Sequence, residues 1–124
     1  MIRFSAEKPI YAQIVDLMQV RIMTGVYQPQ TQLPSVRDLA IQLGVNPNTV
    51  QRALARLEQS GFVKSERTAG RFVSDDTALI QQARTTLVRD KAKDFLCTMR
   101  HYGCSDAEIR EIIEGCMREA GEDR

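Results

Sequence analysis

Apolar positions along this chain recur at intervals of three and four in five stretches, each bounded by residues that start or stop a helix. Ile10, Ile14, Leu17, Met18 and Ile22 form the first stripe, opened by Pro9 and closed by Gly25. Before it, Met1 to Lys8 is a short lead expected to be partly disordered. Val26 to Gln32 holds Pro29 and few apolar side chains, which predicts a loop. Ser35 then offers a cap with Asp38 three residues on, and Val36, Leu39, Ala40 and Leu43 make one buried face. Gly44 ends that helix, because glycine enters the left-handed region without steric cost. Asn46 caps the next helix and Pro47 suits its first position, where no amide proton is needed. Val50, Ala53, Leu54 and Leu57 line its inner side, and it ends before Gly61. The two helices around Gly44-Val45 read as a helix-turn-helix, with the first helix as the third side of its core.

Beyond Gly61 the pattern changes. Phe62 to Glu66 and Arg71 to Ser74 read as two strands, joined by Arg67-Thr68-Ala69-Gly70 with a positive φ expected at Gly70. Asp75, Asp76 and Thr77 start a fourth helix with acids at its positive end. No glycine or proline interrupts it before Gly103, so it is long against an average of about 11–12 residues. Val88, Ala92, Phe95, Met99 and Tyr102 share one face of it, with Ile80 and Arg84 near the edge. Ser105 and Glu108 predict a capped fifth helix with Ile109, Ile112, Ile113 and Met117 as its stripe. The fold class is mainly α with a small β-ribbon. Residues 1–74 form one domain, and residues 75–124 form a helical hairpin that buries its apolar faces internally and against a second copy.

The outer side of the third helix carries the candidate chemistry. At about 100° per residue, with Val50, Leu54 and Leu57 inward, Asn48, Arg52, Ala55 and Gln59 point outward, flanked by Thr49, Gln51 and Arg56. Asn and Gln can bond an adenine edge bidentately, Arg can do so to guanine, and Thr can hold a phosphate or meet a thymine methyl. No acidic residue lies between Asp38 and Glu58 to repel phosphate. Lys64, Arg67 and Arg71 make the hairpin basic, and Gly70 at its tip lets backbone approach DNA closely.

From Pro9 to Val73 the chain resembles the winged-helix DNA-binding domain of the GntR family of bacterial transcription regulators. The matching residues are Pro9-Ile10-Tyr11 with Ile14, Leu33-Pro34-Ser35-Val36-Arg37-Asp38-Leu39-Ala40, Leu43-Gly44-Val45, Asn48-Thr49-Val50, Ala53-Leu54, Leu57-Glu58, Gly61, Gly70 and Phe72-Val73. Asn46 to Arg52 and the short C-terminal part are most similar to the YtrA-type branch. The resemblance implies an N-terminal winged helix-turn-helix, a C-terminal two-helix dimerisation hairpin and control of a neighbouring transporter operon. Many members carry Arg where this chain has Pro47, so a base contact from that slot is not carried over.

Composition sharpens this expectation. The 124 residues allow one compact domain and an appendage, and 43% are hydrophobic, enough for a modest core. No stretch approaches the ~20 apolar residues of a membrane span and no signal-peptide pattern opens the chain, so a cytoplasmic protein is expected. The net charge of +1 divides unevenly. Residues 1–74 hold nine Lys/Arg against five Asp/Glu, and residues 75–124 hold eight against eleven. The front is therefore +4 and the back −3, which suits a nucleic-acid-facing front.

The expected partners are a double-stranded DNA operator and a second copy of the chain, with no cofactor, no metal and no membrane. Asn48, Gln51 and Arg52 are the candidates for base readout; Ser35, Arg37, Thr49, Arg56, Gly70 and Arg71 are the candidates for backbone or wing contacts. Val88, Phe95, Met99, Tyr102, Ile109 and Ile113 are the candidate dimer interface. With one histidine, no Gly-rich phosphate loop and scattered carboxylates, no enzymatic centre is expected. Two alternatives stand beside this reading: a winged helix used as a protein-interaction module, and a metal- or redox-responsive regulator using Cys97 and His101, one helical turn apart, with Cys104 or Cys116. The Cys/His spacing matches no zinc signature. An unknown small-molecule effector would have to bind at a dimer interface or in a crevice between modules.

Overall fold

The computed structural model describes residues 3–122; Met1 and Ile2 of the expected lead, and residues 123 and 124, lie outside them. Five helices and one antiparallel ribbon follow in the expected order: α1 (Ile10–Met23), α2 (Val36–Leu43), α3 (Pro47–Gln59), β1 (Val63–Glu66), β2 (Gly70–Val73), α4 (Thr77–His101) and α5 (Asp106–Glu122). By its internal contacts the chain divides into two units, Met1–Ala83 and Arg84–Arg124.

In the first unit the helix ends form where short-range chemistry puts them. Ser35 Oγ accepts from Asp38 N at 3.1 Å, and Asn46 Oδ1 accepts from Asn48 N at 2.8 Å. These caps satisfy amides that the helices themselves leave unpaired. Gly44 closes α2 in the left-handed conformation at φ 66°. The inner faces of α1, α2 and α3 then meet in one core, in which Ile14, Met18, Leu39, Val50, Ala53 and Leu57 are fully buried.

Three local expectations change. Ile10 stands 36% exposed, and Tyr11 packs against the core in its place. Tyr11 and Val15 join Ile14, Leu17, Met18 and Ile22 on the inner side of α1, because Tyr11 starts an i, i+3, i+4, i+7 series of its own. The lead is anchored: Phe4 packs on the core, and Gln13 bonds Ser5 N, Ser5 O and Lys8 O at 2.7 Å each. The loop before α2 ends in strand-like pairing. Val73 N donates to Thr31 O and Leu33 N to Arg71 O, both at 2.9 Å, so residues 31–33 lie along the outer edge of β2. A bridge this short leaves no alternation to read from sequence.

The ribbon pairs Val63 with Val73 and Glu66 with Gly70. Beyond β2, Ser74 is buried and its amide donates to Phe62 O at 2.9 Å. Asp76 Oδ1 caps α4 by accepting from Leu79 N at 3.0 Å. Ile80 and Ala83 pack against the core, and a Cβ placed on Gly61 would stand 3.0 Å from Leu79 Cδ1. The first two turns of α4 therefore complete the first unit.

In the second unit, Gly103 (φ 86°) ends the α4 helix, with Cys104 N donating to Met99 O at 3.2 Å. Ser105 Oγ caps α5 by accepting from Glu108 N at 3.2 Å, and an exposed Arg100–Asp106 pair at 3.1 Å spans the turn.

The partly buried Leu79 and Ile80 give a stability prediction. Residues 1–83 should unfold cooperatively, and ending the chain at Ser74 instead should cost about 2–3 kcal/mol, the scale of two half-buried large side chains. Urea titration of the two truncated chains, followed by circular dichroism, measures the difference. Equal midpoints would leave α4 without a part in this core.

Candidate nucleic-acid interface

Burial of one side of α3 sets what its other side presents. Val50, Ala53, Leu54 and Leu57 are at most 1% exposed, so Asn48, Gln51, Arg52, Ala55, Arg56 and Gln59 face outward, while Thr49 is half-buried. Arg52 is anchored: its guanidinium lies over the Tyr11 ring, 3.8 Å from the centroid. Such stacking contributes about 0.5–1 kcal/mol at an exposed site and, more usefully, limits the rotamers of a long side chain. Tyr11, Asn48, Thr49 and Arg52 line one shallow cleft with Pro9 and Ile10. A second cleft shares Tyr11 and Arg52 and adds Ala55, Arg56 and Gln59.

The wing is joined to the same helix by a polar clamp. Arg71 Nε donates to Glu58 Oε1 at 2.6 Å, and Ser65 Oγ donates to the same oxygen. Arg71 Nη1 donates onward to Gln51 Oε1 at 3.3 Å. Arg71 and Glu58 are only 21% and 31% exposed, so water screens this pair less than an open surface pair. The hydrogen bond from Arg71, then that from Ser65, holds the Glu58 carboxyl below its ordinary value.

A second ion pair, Lys64 Nζ to Asp75 Oδ1 at 2.6 Å, lies at the base of the ribbon and is exposed to solvent. The ammonium lowers the Asp75 carboxyl's proton affinity, and Asp75 raises that of Lys64. The expected basic wing is therefore weaker than its composition implies, since Lys64 and Arg71 are each paired with a carboxylate.

At the tip, Gln32 Nε2 donates to Ala69 O. Gly70 takes φ 100°, a backbone conformation that calls for glycine, and a Cβ there would press on the flexible end of Gln32, 3.1 Å from Nε2. Ser35, Gly70 and Arg71 line one recess with Gln32 to Pro34 and Val36. Arg37 is exposed on α2 and lines none of these three recesses. Tyr11, Gln32, Glu58 and Ser65 escaped the sequence reading as parts of this surface. No spacing rule brings Tyr11 to Arg52 or Glu58 to Arg71.

The candidate dimer residues divide. Val88 (52%), Phe95 (43%) and Tyr102 (78%) are exposed, and Met99 and Ile113 are half-buried. Ile109 is only 2% exposed in the single chain. It lies one turn past the Ser105 cap and is covered by its own chain. Leu87 and Leu96, outside the expected stripe, are half-buried. The cysteines are unpaired; Cys97 and Cys116 are exposed and Cys104 is half-buried. Burial, then the nearby Glu108 carboxylate, pushes the Cys104 thiol up, away from the thiolate that metal binding and redox exchange use. Among the described residues no three His, Cys, Asp or Glu side chains converge on a point. No helix among them is long and apolar enough to cross a membrane.

Comparison with known proteins bears on this surface directly. YhcF of Bacillus subtilis (strain 168), an uncharacterized HTH-type transcriptional regulator, is 35% identical over 90% of this chain and 93% of its own. The HTH-type transcriptional repressor YtrA of the same organism is 32% identical over 86% of this chain and 82% of its own. A GntR family transcriptional regulator from Listeria monocytogenes superposes with a TM-score of 0.85, at 34% identity, over 90% of this chain and 98% of its own. The DNA-binding domain of AraR, solved in complex with operator ORX1, superposes over 60% of this chain and 95% of its own, with a TM-score of 0.56 and 26% identity. The model of the bacterial regulatory proteins of the gntR family matches residues 10–73, from the first residue of α1 to the last of β2. This chain belongs to the GntR family and is a DNA-binding transcriptional regulator, not an enzyme.

Proposed function

We propose that the protein is a homodimeric repressor that occludes a promoter by binding a two-fold operator, with α3 in the major groove of each half-site and the wing on the flanking backbone. The outer face of α3 carries the reading: it has no acidic residue before Glu58, and Glu58 itself is turned to the wing by Arg71. Asn48, Gln51 and Arg52 are assigned to base edges. Ser35, Arg37, Thr49, Arg56, Gly70 and Arg71 are assigned to phosphate and wing contacts, with Tyr11 as the platform that orients Arg52. Likeness to the YtrA repressor supports repression over activation. Control of a transporter operon rests on that likeness alone, and genome-wide mapping of bound sites tests it.

The second copy is assigned to residues 84–124. Val88, Phe95 and Tyr102 leave large apolar surface open on α4, and Ile112 and Met117 do so on α5. Burying such side chains against a symmetry mate contributes about 1.5–3 kcal/mol each before ordering costs. A dimer also raises the effective concentration of the second recognition helix once the first is bound.

Readout and electrostatics separate in mutants. Arg52→Ala should cost about 1–3 kcal/mol at the cognate site and relax preference at one base pair, whereas Arg56→Ala should weaken all duplexes alike and lower the salt slope by about one unit. Fluorescence anisotropy against a panel of operator variants at several salt concentrations distinguishes them. A chain that binds no duplex even at low salt is instead a protein-interaction module.

The clamp has its own pH signature. Because the folded-state proton affinity of Glu58 is lowered, its contribution is fully present above its unfolded value, about 4.5, and is lost as pH falls through the folded one. Glu58→Gln should therefore flatten the acid limb of the stability curve while leaving its shape near neutrality unchanged. Urea midpoints from pH 3 to pH 7 check this; an unaltered acid slope removes Glu58 from the ledger.

Phe95→Asp should turn a micromolar dimer into a folded monomer with much weaker binding to a full operator. Sedimentation velocity decides, and a variant that stays a tight dimer moves the interface to the winged-helix unit.

A further inference from the structure

Two of the arginines on this surface are held by opposite means. Arg71 is held by its edge: Nε donates to Glu58 Oε1 and Nη1 to Gln51 Oε1, and the carboxylate offsets its charge. Arg52 is held by its face, with Cζ 3.8 Å from the centroid of the Tyr11 ring, the contact distance of stacked planes. All five N–H groups of a guanidinium lie in its plane, so stacking consumes none of them. No carboxylate among the described residues pairs with Arg52. Its charge and its donors both remain available.

A platform orients a side chain only if it is itself held. Tyr11 lies in the first turn of α1, half-buried and packed against the core, whereas Arg52 is exposed. Both shallow clefts beside α3 are lined by this pair, so the stack is the wall they share. An exposed arginine without a platform samples many rotamers and meets phosphates at any sequence. Held flat, its parallel N–H groups match two acceptors side by side. In the major groove only guanine presents that pair, as O6 and N7. Adenine sets a donor beside N7, thymine offers O4 beside a methyl group, and cytosine offers a donor. A guanidinium has no acceptor with which to meet those donors. We propose that Tyr11, on α1 and outside the helix-turn-helix, is a specificity-determining positioning residue that makes Arg52 a guanine reader. This rests on the assignment of Arg52 to a base edge.

Selection of bound duplexes from a random pool tests the proposal with the full-length protein. Wild type is compared position by position with Arg52→Ala, Tyr11→Phe, and the aliphatic replacements Tyr11→Leu and Tyr11→Met, each also combined with Arg52→Ala. The position that Arg52→Ala flattens should select guanine in the wild type by about tenfold. Tyr11→Leu and Tyr11→Met should lower that ratio about two- to fivefold, the range of a cation–π contact, while Tyr11→Phe keeps it. None of the Tyr11 replacements changes net charge, so affinity for random duplex and its salt slope should hold. In the Arg52→Ala background, losing the ring should alter nothing further at that position. A purely structural Tyr11 would instead lower selectivity at every position alike, with or without Arg52, and that result overturns the proposal. So does an unchanged guanine ratio in both aliphatic variants, or a base other than guanine at the Arg52-dependent position. If Arg52→Ala flattens no position, the base-reading role of Arg52 falls and the inference falls with it, a result distinct from a guanine ratio that ignores Tyr11.

Discussion

Everything on the outer surface of α3 depends on how firmly that helix is held from behind. Val50, Ala53, Leu54 and Leu57 are at most 1% exposed, and the large members of that set contribute about 1.5–3 kcal/mol each through burial. A helix seated this way cannot roll about its axis without exposing them. Its outward residues are therefore presented in one orientation. The Asn46 cap and Pro47 fix the start of the helix.

A second level of order is polar and longer in range. Glu58 sits where α3 meets the wing and takes hydrogen bonds from both strands, Ser65 on β1 and Arg71 on β2. Partial burial makes this pair count for more than Lys64–Asp75, which solvent and salt screen at the base of the ribbon. The same interaction removes positive charge from the wing. It also aligns the wing with α3, because Arg71 reaches Gln51. Tyr11 does the corresponding work for Arg52 from the opposite side.

The long fourth helix has two roles along its length. Its first turns close the winged-helix core through Leu79, Ile80 and Ala83, while its later turns carry Val88, Phe95 and Tyr102 into solvent. Ile109 shares the stripe of Ile112, Ile113 and Met117 and is its buried member within the single chain.

The sequence by itself determined the order of the helices, both ends of the first four and the start of the fifth, the ribbon and most of the core. These features are set by neighbours within about four residues: Ser35, Asn46 and Ser105 as caps, Gly44 and Gly103 as stops, and apolar residues at helical spacing. It also determined which side of α3 is polar. The tertiary structure alone decided who holds those polar groups. Arg71 and Glu58 are 13 residues apart, Tyr11 and Arg52 lie on different helices, and Thr31 meets Val73 across the edge of the ribbon. A hydrogen bond or a stacked cation forms only when packing brings two groups within a few ångströms, and no local pattern records that distance. The composition of the surface was therefore legible in the sequence, while its donors, acceptors and net charge as DNA would meet them were decided by the fold.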